Sequence, residues 1–195
     1  MKIFAPILFC LLSVNSICIA SPEWNSGVVV LHSGEVLPGQ IALHQSHDMV
    51  LLQSGDKRTV LPAHKIKCVL FYDAIKNINR RFITITTKDN TRISHRIFEV
   101  VLSGDITVLR RSASLFANIN DEVSGFEYFL KVGNELITIR KFRTKIYPTI
   151  VDASAELEQF VRKNRLRPAF PADIIQIVGR HNEEVEAQAL SVQKF

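Results

Sequence analysis

Between residues 27 and 143 the chain alternates short β-branched and aromatic runs with small clusters of glycine, serine, asparagine and aspartate. An alternating run makes a strand with one buried face, and a Gly-containing break turns the chain back on itself, so the two together are the signature of antiparallel hairpins. Strands are predicted over residues 28–32, 40–44, 48–53, 58–61, 67–72, 81–87, 92–102, 106–110, 126–132 and 136–142. Their turns include Ser33-Gly34, Ser54-Gly55-Asp56, Lys88-Asp89-Asn90, Ser103-Gly104-Asp105 and Gly133-Asn134. About ten strands laid flat would leave long bare edges, so the sheet is expected to curl, close or split into two layers. The turns near residues 34, 55, 104 and 133 are 21, 49 and 29 residues apart. A solenoid or propeller would keep a fixed period, so these turns are ordinary punctuation.

The pattern changes at Tyr147-Pro148. Asp152 or Ser154 suits a helix cap, and Leu157, Phe160 and Val161 recur at helical spacing among charged residues, which predicts a helix to about Leu166. After Pro168 and Pro171, a second helix is predicted with Ile174, Ile175 and Val178 on one face, its tail over residues 182–195 fraying. The class is therefore α+β, mainly β. An antiparallel hairpin-built sheet, or a partly closed barrel or sandwich, occupies residues 21–147, and a C-terminal helical pair over 148–195 packs on it.

Residues 1–20 read as a secretory signal. Lys2 precedes an apolar stretch over residues 3–12, and Cys18-Ile19-Ala20 offers small side chains where a signal peptidase reads, so cleavage is expected near Ala20. Asn15 and Ser16 break the stretch short of the ~20 residues that cross a bilayer, and no later segment approaches that length without a charge. The mature chain is expected to lack a transmembrane span and to be secreted or periplasmic. Cys10 follows Phe9 and Cys18 follows Ile17, neither the small residue that lipid attachment needs. Processing leaves 195 − 20 = 175 residues, the size of one domain, with Cys68 as the sole thiol. That domain must fold without a disulfide, and Cys68 is expected to be a small buried filler. The net charge of +5 falls by one with Lys2, too diffuse an excess for a nucleic-acid binder but suited to anionic envelope surfaces.

No pattern selects an enzyme. The chain lacks a Gly-x-Ser-x-Gly elbow, Ser124-Gly125 precedes a strand, and Gly34, Gly39 and Gly55 lead into strands rather than the helix a phosphate loop requires. Asp73, Asp89, Glu99, Asp121, Glu122 and Glu127 show no spacing that picks out a glycosidase pair. His32, His44 and His47 are close in sequence, and a first hairpin would bring two of them within reach of one ion, but their spacing fits no metal motif. No catalytic residue, metal ligand or cofactor is assigned. The strongest candidate contact is the run 140–145, placed on the last predicted strand, with a second basic run over 162–167. Arg140, Lys141, Arg143 and Lys145 form a candidate ligand-binding patch for an anionic group; the competing reading is a solvated surface paired with Glu156 and Glu158. Trp24 is expected to cover one end of the β core.

Trp24-x-x-Gly27, Gly34-x-x-Leu37-x-Gly39, Val69-x-Phe71-Tyr72-Asp73, Phe126-Glu127-Tyr128-Phe129 and the Tyr147-Pro148 approach to the helices resemble a group of uncharacterised exported proteins of Bacteroidetes-type bacteria. The likeness spans most of the mature chain, and it departs at Ser33-Gly34, where Asp-Gly is common in that group. The resemblance implies a Gram-negative envelope location and a β-rich body, and it transfers no catalytic residue. The expectation is a non-catalytic binding or envelope-assembly module whose partner is an anionic envelope component or another envelope protein. A small hydrolase acting on an envelope polymer and a structural subunit are the alternatives.

Overall fold

A computed structural model describes residues 23–89, 92–112 and 125–192. The predicted signal peptide, Asn90, Asp121, Glu122 and Ser124 lie outside the described residues. Ten strands form a single antiparallel sheet: β1 (Asn25–Leu31), β2 (Val36–His44), β3 (Met49–Ser54), β4 (Lys57–Pro62), β5 (Ile66–Asp73), β6 (Ile78–Asp89), β7 (Arg92–Leu102), β8 (Ile106–Ser112), β9 (Phe126–Val132) and β10 (Glu135–Thr138). Ser54 pairs with Lys57 and Val132 with Glu135, leaving two-residue loops in which Gly55 (φ 59°) and Gly133 (φ 55°) take the left-handed backbone such tight turns require.

The sheet order is β10-β9-β8-β7-β6-β5-β1-β2-β3-β4. Only the passage from β4 to β5 leaves the meander, and it dictates the shape. In a flat sheet these strands would stand four spacings, roughly 19 Å, apart. The link is a 3-10 turn of three residues, Ala63–Lys65, and even a fully extended stretch from Pro62 to Ile66 reaches only about 14 Å. The first strands must therefore curl until the end of β4 meets the start of β5. The curl surrounds a core of Val29, Ile41, Val50, Leu61, Ile66, Val69, Phe82 and Ile97.

The curl is completed by a loop rather than by strand pairing. Beyond the Glu99–Arg110 pair, β7 and β8 stop pairing, and the 3-10 turn Gln45–His47 sits against both. The Gln45 amide donates to the Ile97 carbonyl (3.5 Å) and its oxygen accepts from the Ser112 backbone N–H (3.2 Å) and hydroxyl (3.0 Å). Asp48, in the left-handed region at φ 51°, accepts from the Ile97 N–H (2.8 Å) and from Arg111 (2.7 Å). The strand groups exposed by the splay thus find partners in the turn, as buried backbone must.

A second core lies on the same sheet face farther along, where Ile106, Val108 and Leu130 meet the helices. The helical part has four segments, α1 (Phe142–Lys145), α2 (Tyr147–Ala153), α3 (Ala155–Lys163) and α4 (Pro171–Val192), of which the last two are the expected pair. Ser154 caps α3, its Oγ accepting from the Leu157 N–H at 3.0 Å. Helix α4 buries Ile174, Ile177 and Val178 and continues to Val192 rather than fraying from residue 182. Asn182 explains the extension: buried, it accepts from the Ile106 N–H (3.0 Å) and donates to the Ile106 carbonyl (2.9 Å), anchoring the helix to the β7–β8 turn.

The last strand is shorter than predicted, ending at Thr138 instead of residue 142. Ile139, Phe142 and Ile146 recur every three or four residues and all three are buried in the helical core, so the helical period wins over strand alternation. Cys68 is half-buried on the outer face of β5. Trp24 is half-buried beside β4, with the Arg58 guanidinium 5.8 Å from its ring.

Candidate functional site

Across the inner face of the sheet, directly paired residues run Val29, Val69, Phe82, Glu99, Arg110 and Tyr128. The row is apolar in the curl and turns charged where the two cores meet. Glu99, 4% exposed, lies between two guanidiniums. Arg80 reaches it through Nε (2.9 Å) and Nη2 (2.8 Å), and Arg110 through Nε (2.8 Å) and Nη2 (3.0 Å). Arg80 also donates from Nη1 to Asp73 (3.2 Å), a carboxylate 2% exposed whose other oxygen accepts the Lys76 backbone N–H at 3.0 Å. Two acids and two bases make the cluster neutral, and bidentate geometry on both sides of Glu99 fixes it.

Burial alone would raise the Glu99 carboxyl, but the hydrogen bonds and charges of Arg80 and Arg110 outweigh it and hold Glu99 below the ordinary carboxylate range. The Lys76 backbone N–H, with help from Arg80, lowers Asp73 against its own burial. Desolvation works against charge on Arg80 and is overcome by Glu99, while Arg110 is raised chiefly by its hydrogen bonds to Glu99. Both carboxyls are thus held ionised.

This cluster backs a cavity of about 260 Å³ at one end of the curl, where the start of β1, the end of β2, the β5–β6 hairpin and the facing ends of β8 and β9 converge. The end of a β-barrel-like curl is a common place for a ligand site. Phe71, Phe82 and Phe126 supply aromatic wall. Arg80 lies 5.1 Å from the Phe82 centroid, and Arg110 lies 4.4 Å from that of Phe126. Asn25, His44, Lys76 and Arg80 supply polar wall, with Glu23 and Ser112 at its edge.

The basic run sits elsewhere. Arg140 and Lys141 fall in a 3-10 turn, Arg143 and Lys145 in α1, and all four are exposed on the side opposite Ile139, Phe142 and Ile146. They line none of this cavity. Lys145 contacts Glu135 at 3.4 Å, while Glu158 pairs with Arg162 and Glu156 with Arg180. His32 does not join His44 as the first hairpin suggested, whereas the His44 and His47 rings lie 6.4 Å apart between centroids. His32 and His44 fall at opposite ends of the nine-residue β2, some ~27 Å apart along the strand. Among the described residues no three histidine, cysteine, aspartate or glutamate side chains could together hold a metal ion.

Comparisons with protein-family models, curated proteins and solved structures find no match to this chain. The charge cluster leaves no mark in the spacing of the acids, because Asp73 and Glu99 meet at Arg80 across strands rather than along the chain. Strand parity carries the signal: Asp73 follows Val69 and Phe71, Glu99 follows Ile97, and Arg110 follows Ile106 and Val108, each at a core-facing position. Charges on the buried parity of successive strands must neutralise one another or be lost to desolvation.

Proposed function

We propose that this protein is an exported, non-catalytic binding module of the cell envelope that holds a small ligand in the cavity at the end of the curl. One observation carries the reading: the two buried acids behind the cavity's Arg80 are locked by guanidiniums. A general acid or base needs a carboxyl whose protonation changes near the working pH, and burial without a partner is the usual way to obtain one. Asp73 and Glu99 sit in the opposite environment, which suits a rigid frame behind a recognition surface and speaks against a hydrolase acting on an envelope polymer. A structural subunit calls for a broad apolar patch; the exposed Leu70, Tyr72, Ile75 and Ile78 gather on the β5–β6 hairpin, while Val36, Val60, Ile93 and Leu190 belong to four different elements.

Export rests on the N-terminal segment and on the resemblance to exported bacterial proteins. The exposed cations Arg140, Lys141, Arg143 and Lys145 suit a secondary contact with an anionic envelope component. Cell fractionation with mass spectrometry tests the location: a processed chain beginning at Ser21 in the envelope is expected, and an intact precursor in the cytosol would overturn it. Recovery of envelope partners by the processed protein is expected to fall when those four cations are neutralised. Unchanged recovery would remove the patch from the proposal.

A further inference from the structure

We infer that the cavity at the end of the curl takes a small monocarboxylate carrying an apolar body. The inference rests on the binding reading above and adds the chemistry of the ligand. Guanidinium carries five N–H donors. Arg80 spends Nε–H, one Nη1–H and one Nη2–H on Asp73 and Glu99, which leaves one N–H on each terminal nitrogen of a side chain that lines the cavity. Glu99 itself is saturated, accepting two bonds from each arginine, so it offers an incoming ligand nothing further.

Gln45 spends its oxygen on Ser112 and one Nε2–H on the Ile97 carbonyl, which leaves its second Nε2–H. The donors remaining to a ligand are therefore Arg80, the second Gln45 amide N–H, the Lys76 ammonium, the Asn25 amide and the His44 ring, against one carboxylate, Glu23. A wall so weighted toward donors recognises acceptors, and Lys76 supplies a cation outside the neutral cluster, balanced overall by the Glu23 carboxylate. The aromatic wall of Phe71, Phe82 and Phe126 calls for an apolar body beside the acceptor. A cavity of roughly 150 Å³ accommodates benzene, so a volume of about 260 Å³ has room for one aromatic ring with a small polar substituent. Benzoate meets all three requirements.

The test titrates the processed chain, residues 21–195, with sodium benzoate and with benzamide, which keeps the shape and removes the charge, following backbone amide shifts by NMR. Benzoate is expected to shift Ala42, Leu43, His44, Lys76 and Phe126 saturably, with benzamide at least about tenfold weaker. Lys76→Gln is expected to weaken benzoate by about fivefold and Glu23→Gln to strengthen it slightly; both positions are exposed, so the fold is kept. Shifts absent from these amides, benzamide binding as well as benzoate, or indifference to Lys76→Gln would each overturn the inference. Failure here leaves export and envelope retention to stand or fall on fractionation.

Discussion

Glu99 is the side chain on which most depends. Removing its charge leaves Arg80 and Arg110 facing one another in a partly buried site, the situation in which breaking a buried ion pair is costly. Glu99→Gln is expected to cost about 3 kcal/mol of unfolding free energy by urea denaturation. The pH dependence follows from the same contacts. Asp73 and Glu99 have folded-state values below their unfolded ones, so their contribution is complete above the unfolded range and is lost as pH falls through the folded values. Wild-type stability should therefore drop steeply below about pH 4, and Glu99→Gln should flatten that limb. A mutant limb as steep as the wild type would place the acid sensitivity elsewhere. Gly104 makes a second demand, because a Cβ there would run into the Asn182 side chain. Gly104→Ala is expected to displace Asn182 from Ile106 and lower stability by about 1–3 kcal/mol, the cost of a lost buried hydrogen bond.

Among the elements, the 3-10 turn Gln45–His47 and the residue after it close the curl with hydrogen bonds in place of a strand pair. Asp48→Ala removes the acceptor for both Ile97 N–H and Arg111. Hydrogen exchange at the Ile97 and Ser112 amides should accelerate while the β1–β5 amides keep their protection; unaltered exchange at Ile97 would mean that the turn does not hold the splayed strands. Much of the element pattern was legible in the chain, because alternation and Gly-containing turns are local signals. Strands β7 and β9 fall where alternation placed them, and Ser154 caps α3 as its position before Leu157 suggested. What stayed hidden is non-local. Nothing near Gln45 announces that it serves Ile97 and Ser112, and Asn182 reads as the start of a polar tail until Ile106 is seen beside it. The misplaced end of β10 is a different failure: Ile139, Phe142 and Ile146 carried a helical period that the alternation of residues 136–142 masked.

For the molecule as a whole, one sheet face serves two cores, curled on itself at β1–β6 and covered by helices at β8–β10, with the Asp73–Arg80–Glu99–Arg110 cluster between them. Ending the chain after Thr138 would bare Ile106, Val108 and Leu130, and the truncated protein is expected to bind a hydrophobic dye and lose its cooperative unfolding transition; retention of the full-length transition would show that the helices are dispensable. Arg80 carries the neutral cluster to the cavity wall, and the proposed binding role requires that its two carboxylates not exchange protons near neutrality. That requirement is open to direct observation by carbon-13 NMR of the side-chain carboxyls as pH is varied. Asp73 and Glu99 are expected to stay ionised down to pH values below those of ordinary aspartate and glutamate. Titration of either one near neutrality would contradict the locked-cluster view and return the cavity to the enzymes.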